Sequence, residues 1–398
     1  MKQNISLIIM SAGESRRFRQ NCAVKKHWIR LNGKPLWLFV ADSLNARYKF
    51  KKTIITANAN EVAYMRRFCD YEIVCGGDSR QKSLENALVR VDSEFVAVSD
   101  AARFGLDFEV LDNLFAVDLN GIDCVIPTLS VADTIFMEGE SFGKSSTKKY
   151  LNRNAVKLVQ TPQISCVATL QKAMKLGDFS DESSAINALG GKIICVEGSQ
   201  KMHKLTHFSD LERILKDFNS QNLAHKNYKF AESSAQNLIG YGFDTHRFCD
   251  GNEVVLCGVK IPCEFGIEAH SDGDVALHAL MDALLGAVGA GDIGEWFPPN
   301  DERFRGADSL KLLAQVVDFT QSVGFEIINA DMMILAETPK ITPHKDKMIE
   351  ILSKALHIPK NRINIKATTM EKMGFVGRKE GICAKAVVSI KESKFTLG

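Results

Sequence analysis

Three residues in the C-terminal half have the types and spacing of a metal site. Asp244 and His246 stand two apart, so in an extended segment both side chains face the same side. His278 closes the run Ala269-His270-Ser271-Asp272-Gly273-Asp274-Val275-Ala276-Leu277-His278, one helical turn after Asp274. An Asp-His-His set gives zinc three protein ligands and leaves a fourth position open for chemistry. A single histidine on an amphipathic helix is more often packed or solvated, but three such residues in this pattern favour the metal. Gly291-Asp292-Ile293-Gly294-Glu295 is a turn with exposed N–H groups and a carboxylate. Thr338-Pro339-Lys340-Ile341 precedes a helix, and Lys366-Ala367-Thr368-Thr369-Met370-Glu371-Lys372-Met373-Gly374-Phe375 leaves a strand with Gly377-Arg378 behind it. Hydroxyls, a carboxylate and an arginine at such a loop suit a diphosphate bound with a divalent ion.

The N-terminal half carries a different set. Ser11-Ala12-Gly13-Glu14-Ser15-Arg16-Arg17-Phe18 follows an apolar run, with Lys25 close behind. Small residues let backbone N–H groups approach phosphates, and the cations suit a triphosphate. The loop is neither Gly-x-x-x-x-Gly-Lys-Ser/Thr nor Gly-x-Gly-x-x-Gly. Taken alone, it reads equally as a solvated strand-to-helix turn. Gly76-Gly77-Asp78-Ser79-Arg80-x-x-Ser83 and Ser99-Asp100-Ala101-Ala102-Arg103 follow later strands. Asp100 at a strand's carboxyl end is placed to hold Mg²⁺, or else to cap a helix. Arg103 serves equally as a surface ion-pair residue.

These residues need elements to position them. Short apolar runs at Ile5–Met10, Thr53–Thr56, Glu72–Val74, Phe95–Val98, Cys124–Ile126, Lys157–Gln160 and Lys192–Val196 alternate with helical stretches such as Leu36–Leu44, Arg80–Val89 and Glu109–Val117. That alternation predicts a mostly parallel sheet covered on both faces, with ligands beyond the strands' carboxyl ends. A helix over Asp210–Asp217 closes this half, and Asn219–Asn237, polar and without apolar periodicity, reads as a linker. A short strand, Leu238–Gly242, opens a second unit. Helices over Asp274–Val288, Asp308–Val323 and Thr342–Leu356 and strands over Phe325–Leu335, Ile363–Thr368 and Ala384–Ile390 make it a compact α+β domain. At 398 residues the chain has room for two or three domains. Fifty basic against 48 acidic residues leave a net charge of +2, which argues against nucleic-acid binding. Apolar runs are too short to span a membrane, no signal peptide is evident, and ten singly spaced cysteines read as reduced thiols, so a cytoplasmic location is expected.

Residues 5 to about 218 resemble the cytidylyltransferases that join CTP to methylerythritol 4-phosphate. The matching stretches run in order: Ala12-Gly13-x-x-x-Arg17, Lys25, Gly76-Gly77-x-x-Arg80-x-x-Ser83, Asp100-Ala101-Ala102-Arg103, Ala132-Asp133-Thr134, Arg153, Gln160-Thr161-Pro162-Gln163, Asp181-Glu182-Ser183 and Lys204-Leu205-Thr206. The resemblance implies a Rossmann-like nucleotidyltransferase fold. It puts Arg17, Lys25 and Lys204 on the phosphates, with Ala12 and Gly13 in the phosphate loop. Gly77, Asp78 and Ser83 then hold cytidine, and Asp100 holds Mg²⁺. Thr134, Arg153 and Thr161 grip methylerythritol phosphate with Arg103 nearby, Thr134 and Arg153 coming from a dimer partner's arm around 132–153. Val24 stands where the family usually has proline, the loop from Arg17 to Lys25 is one residue longer, and Phe104 replaces another proline.

Residues 238 to 391 resemble methylerythritol 2,4-cyclodiphosphate synthases, most distinctively over Ala269–Leu280 and Lys366–Gly374. The resemblance assigns Zn²⁺, or another divalent ion, to Asp244, His246 and His278. His270 and Ser271 contact substrate, and Asp292 and Gly294 its methylerythritol end. Ala336, Pro339, Lys340 and Ile341 form a cytidine pocket with Thr368 and Thr369, beside Phe375. Glu371 holds a second ion, Mg²⁺ or Mn²⁺, across the diphosphate, and Arg378 neutralises charge. The expected protein is a bifunctional isoprenoid-precursor enzyme: a cytidylyltransferase domain (1–218), a linker (219–237) and a synthase domain (238–398). Dimeric contacts in the first domain and trimeric contacts in the second close most simply into a hexamer. Two rival readings are a generic sugar-phosphate nucleotidyltransferase fused to a zinc phosphohydrolase, and a non-catalytic scaffold.

Overall fold

The computed structural model describes residues 4–31, 33–138, 148–211, 213 and 237–393. The chain divides into two compact units, one of Met1–Cys22 and Lys26–Phe230 and the other of Ala231–Gly398 with the short segment Ala23–Lys25. Apart from Asn237, the expected linker lies outside the described residues, as does most of the helix expected over 210–217.

The first unit is built on β1 (Ile5–Met10), β2 (Thr53–Ala57), β3 (Glu72–Cys75), β4 (Phe95–Asp100) and β5 (Cys124–Ser130). A short hairpin, β6 (Ile135–Glu138) with β7 (Lys148–Leu151), precedes β8 (Lys157–Val159), β9 (Gln163–Cys166) and β10 (Ile193–Glu197). The main sheet runs β8-β5-β9-β4-β1-β2-β3, with β10 also on β5. Only β8 and β9 run against the rest. Leu7, Ile8 and Ile9 are all fully buried. Neighbours on a strand point to opposite faces, so both faces are covered. Helices α1 (Leu36–Arg47), α2 (Arg80–Leu88), α3 (Phe108–Ala116), α4 (Val167–Ala173) and α5 (Glu182–Ala188) stand between the strands in sequence. Leu84, Leu88, Leu170 and Ile186 from three of them pack with Ile8, Ile54 and Val98 in one core cluster.

β1 lies between β2 and β4, and Met10 is level with both Thr56 and Asp100. The chain leaves β1 toward β2 and β3, then returns to β4 on the other side. That reversal is the topological switch point, where open parallel sheets bind ligands. At the far rim of β3 the outward carbonyls are met by side chains: Asn86 donates to Cys75 O at 3.2 Å and Arg66 to Ile73 O at 3.4 Å. The β6–β7 arm instead exposes apolar groups, with Phe136 and Tyr150 5.3 Å apart and Tyr150 71% exposed.

The second unit holds β11 (Leu238–Cys249), the hairpin β12 (Glu253–Leu256) and β13 (Val259–Pro262), β14 (Gly266–Ile267), β15 (Phe325–Leu335), β16 (Ile363–Thr368) and β17 (Gly381–Glu392). Its five-stranded sheet runs β14-β11-β17-β15-β16. Helices α6 (Val275–Val288), α7 (Ser309–Ser322) and α8 (Lys345–Leu356) complete it. β11 does not stop at Gly242 as its sequence suggests. It pairs with β17 from Leu238 opposite Ile390 to Arg247 opposite Gly381. Gly240, Gly242, Asp244, His246 and Phe248 alternate with more exposed neighbours along it. Glycines and polar ligands on the inner face hide this strand from a hydrophobicity reading.

α6 is apolar almost all round and nearly every residue is buried, as expected of a central helix. It lies directly on β11. A Cβ on Gly242 would stand 1.9 Å from Ala279 O, and one on Gly240 would stand 1.8 Å from Ala283 O. Only glycine permits backbones this close. Among the described residues, no helix is long and apolar enough to cross a membrane. No disulfide joins the ten cysteines.

Candidate functional site

In the first unit, the loops after β1, β3 and β4 open on one cleft of about 740 Å³. Ala12, Gly13, Arg17, Gly77, Asp78, Ser83, Asp100 and Lys204 all line it. Ser11 is fixed to β2, its N–H donating to Thr56 Oγ1 at 3.0 Å. Gly76 must be glycine, because a Cβ there would meet the Ala12 Cβ at 2.4 Å. Ser79 caps α2, and Gly77 N–H donates to the Ser83 hydroxyl at 3.0 Å.

Asp100 is the electrostatic centre of the cleft. Lys204 Nζ lies 2.7 Å from one oxygen, and Arg80 Nε lies 3.8 Å from the other. Burial opposes its charge, but Lys204 and Arg80 outweigh burial and hold the carboxylate below its ordinary range. Arg80 is itself braced by the buried Glu182 at 2.7 Å. Burial works against the Arg80 charge too, yet Glu182 and Asp100 hold it firmly protonated.

Lys25 does not line the cleft. Lys26 does. Its Nζ donates to Leu205 O at 3.2 Å. Burial, then Lys204, lowers its pKa to about 8. Of the two adjacent lysines, Lys26 is the one that faces the cleft. Sequence alone cannot separate two adjacent lysines. The turn at Lys26–Trp28 decides, and it is anchored by the buried Glu61, which accepts from His27 Nε2 at 2.9 Å and Trp28 Nε1 at 3.0 Å.

Four other expected residues stand outside this cleft lining. Thr161 backs it, its Oγ1 accepting from Asp100 N–H at 3.3 Å. Arg103 bonds Met202 O at 2.5 Å, and burial lowers its pKa. Thr134 and Arg153 are exposed at the arm, where Arg153 bonds Ala132 O at 2.8 Å.

In the second unit, β11 and α6 bring Asp244, His246 and His278 together. Asp244 Oδ2 lies 3.0 Å from His278 Nδ1 and 3.1 Å from His246 Nε2, and the two nitrogens are 3.1 Å apart. A tetrahedral zinc with bonds of 2.0–2.1 Å holds its ligand atoms about 3.3 Å apart, so the donor set fits with small adjustment. Burial raises the Asp244 pKa, but hydrogen bonds from both histidines outweigh it and hold the carboxylate well below its ordinary range. Ser271 lies behind His278, with its hydroxyl 3.1 Å from Nε2. His270 is exposed, and its carbonyl accepts from Gly306 N–H at 2.6 Å. Asp292 caps the turn that contains Gly294, accepting from Glu295 N–H at 2.9 Å.

The strand ends β15 and β16 carry the remaining expected residues. Ala336 N–H donates to Thr368 O at 3.0 Å. Pro339 and Ile341 are buried and Lys340 is exposed. Thr369 donates to Glu371 at 3.0 Å, and Arg378 pairs with Glu380 at 2.8 Å. Phe375 is 43% exposed. Glu371 and Lys372 both have left-handed backbones, with φ of 50° and 63°. Glu337, which the sequence reading misses, accepts from Met370 N–H at 3.0 Å and Lys372 N–H at 3.1 Å. It braces the strained turn from 33 residues away.

The two units thus define a fused pair of enzymes, a nucleotidyltransferase followed by a phosphorus–oxygen lyase. The family model for 2-C-methyl-D-erythritol 4-phosphate cytidylyltransferase matches residues 5–216, and that of the YgbB family matches 237–391. The chain is 46% identical to the bifunctional enzyme IspD/IspF of Wolinella succinogenes, covering 97% of this chain and 96% of the other. It is 43% identical to that of Campylobacter fetus subsp. fetus, covering 98% and 97%. The structure of the bifunctional IspDF from Campylobacter jejuni superposes with a TM-score of 0.75 at 41% identity, covering 98% and 99%. The chain belongs to the bifunctional IspD/IspF family.

Proposed function

We propose that the first unit transfers CMP from CTP to 2-C-methyl-D-erythritol 4-phosphate, releasing pyrophosphate. The second unit cyclises 4-CDP-2-C-methyl-D-erythritol 2-phosphate to the 2,4-cyclodiphosphate and releases CMP. One observation carries the reading: a cation-lined cleft at a sheet switch point and a three-ligand cluster occur on a single chain.

In the first reaction the nucleophile is a phosphate oxygen of the substrate, already anionic, so no general base is required. Catalysis is positioning and charge neutralisation. Arg17, Lys26 and Lys204 supply the cations, and Gly77, Asp78 and Ser83 the cytidine side. Asp100 is the residue to hold Mg²⁺, since Mg²⁺ sites use one or two carboxylates together with substrate phosphates. Thr134 and Arg153, outward on the arm, fit service in a neighbouring subunit's cleft.

The nucleophile of the second reaction is again a phosphate. Asp244, His246 and His278 are the residues to hold Zn²⁺, which when bound acts as a Lewis acid on phosphate oxygens. Glu371 is the residue to hold a second divalent ion. Thr368, Thr369, Pro339 and Ile341 shape the cytidine side, and Arg378 offers charge once drawn from Glu380.

Dimers through the arm and trimers through the sheet face of Ile239, Tyr241 and Phe243, 71%, 60% and 46% exposed, would close into a hexamer. A monomeric mass by light scattering would refute it. Ten cysteines without a disulfide support a cytoplasmic location. The 2-phosphate of the second substrate must come from a separate kinase.

Phosphorus NMR of the protein with Mg²⁺, CTP and methylerythritol 4-phosphate tests the first step. Pyrophosphate and a CDP-alcohol should appear together. Intact CTP beside turnover of another nucleotide would overturn the substrate assignment.

A further inference from the structure

The ligand histidine of the second unit is fastened from behind. His278 turns Nδ1 toward Asp244 and His246, while its Nε2 lies 3.1 Å from the Ser309 hydroxyl. Ser309 opens α7 and is fully buried. Its hydroxyl is 2.5 Å from Asp272 Oδ1, and its N–H donates to Asp272 Oδ2 at 3.0 Å. Asp272 is fixed in turn: it accepts from Asp274 N–H at 3.2 Å, and its own N–H donates to Ala307 O at 3.1 Å.

On the Ser309 side the donor and acceptor roles are forced. A carboxylate only accepts, so the single Ser309 proton is spent on Asp272. The Ser309 oxygen can then only accept from the imidazole. The pair therefore favours the Nε2–H form of His278, with the Nδ1 lone pair toward the cluster, against Asp244 Oδ2, which lies 3.0 Å from Nδ1 and favours a proton there in the metal-free protein. Ser271 also stands 3.1 Å from Nε2 and accepts from Gly273 N–H at 3.2 Å. Its hydroxyl can either donate to Nε2 or accept from it, so it imposes no tautomer.

We propose that Asp272, acting through Ser309, is the positioning pair that fixes the tautomer and ring orientation of His278 for metal binding. The proposal rests on the reading of Asp244, His246 and His278 as metal ligands. Partners of this kind behind a ligating histidine typically set metal affinity by 10–100-fold. Asp272 lies within the patterned run that ends at His278, whereas Ser309 lies 31 residues beyond it and outside that run.

The test uses the full chain and two readouts. Long-range ¹H–¹⁵N NMR of metal-free protein reports the His278 tautomer. Competition with a chromophoric chelator reports zinc affinity. Wild type should hold a substantial Nε2–H share. Ser309→Ala should shift the balance toward Nδ1–H and weaken zinc roughly 10–100-fold. Asp272→Asn should do the same, and the double variant should be no weaker than Ser309→Ala. Asp272 also ties down backbone N–H groups, so Ser309→Ala, which removes one hydroxyl, decides the matter if Asp272→Asn does not fold. An unchanged tautomer balance and wild-type zinc affinity in Ser309→Ala overturn the relay, as does a loss confined to Ser271→Ala. Failure of wild type to bind zinc overturns the metal reading instead, and the tautomer measurement still judges the relay.

Discussion

Gly242→Ala should disable the second reaction without touching the first. The added Cβ would stand 1.9 Å from Ala279 O and 2.7 Å from Ala283 N, both backbone atoms of α6. Carbon–oxygen contacts settle near ~3.3 Å, so α6 must withdraw from β11 by about 1.4 Å. α6 carries His278, while β11 carries Asp244 and His246. The three ligand atoms lie 3.0–3.1 Å apart, and such a withdrawal breaks their common reach to one ion. A displacement of about 1 Å is enough to cost on the order of 100-fold in a positioned site. The overpacking itself costs about 1–3 kcal/mol or more. Zinc titration against a chelator should show at least a ~100-fold weaker site. Cyclisation should fall with it, and cytidylyl transfer should be unchanged. Gly286→Ala is the control. A Cβ there meets nothing within 4 Å, and alanine favours a helix by about 0.5–1 kcal/mol over glycine. It should raise stability and leave zinc alone. Wild-type zinc affinity in Gly242→Ala would refute the claim that strand–helix contact sets ligand alignment.

Lys26→Ala should remove cytidylyl transfer, whereas Lys25→Ala should spare its chemical step; separate steady-state assays of kcat and KM decide between the adjacent lysines. With its pKa near 8, Lys26 is a cation below that pH and loses charge above it. The kcat/KM for CTP should therefore decline through about pH 8, and a pH profile of Lys26→Arg should lack that limb. Glu337→Ala frees two backbone N–H groups of the strained turn and should weaken CDP binding roughly tenfold by calorimetry, with zinc affinity intact. Glu61→Ala strands the buried His27 and Trp28 donors and should cost the first unit about 2–4 kcal/mol in denaturant unfolding.

The parallel core was legible because its strands are wholly apolar and its helices are not. The same signal fails at the β6–β7 arm, whose strands lean on exposed aromatics, and at the far half of β11, whose inner positions are Asp244 and His246. Asp244 and His246 could be paired on sequence because strand periodicity is two, and His278 because its run is so patterned. Glu61, Glu337 and Ser309 were invisible. Each acts on residues 31 to 35 positions away, through contacts that exist only once helices and strands are packed. Lys26 was missed for the opposite reason: its rival is its neighbour, and only the local turn tells them apart.

The β3 rim gives the first unit's sheet a direction of growth. An open edge invites another chain's strand, and here Asn86 and Arg66 occupy carbonyls that such a strand would need. Apolar exposure is offered instead on the hairpin arm, by Phe136, Met137 and Tyr150. If the arm pairs with the arm of a second copy, the β3 edge gives that pair no further point of growth, and the contact would close on a two-fold axis rather than propagate into a fibre.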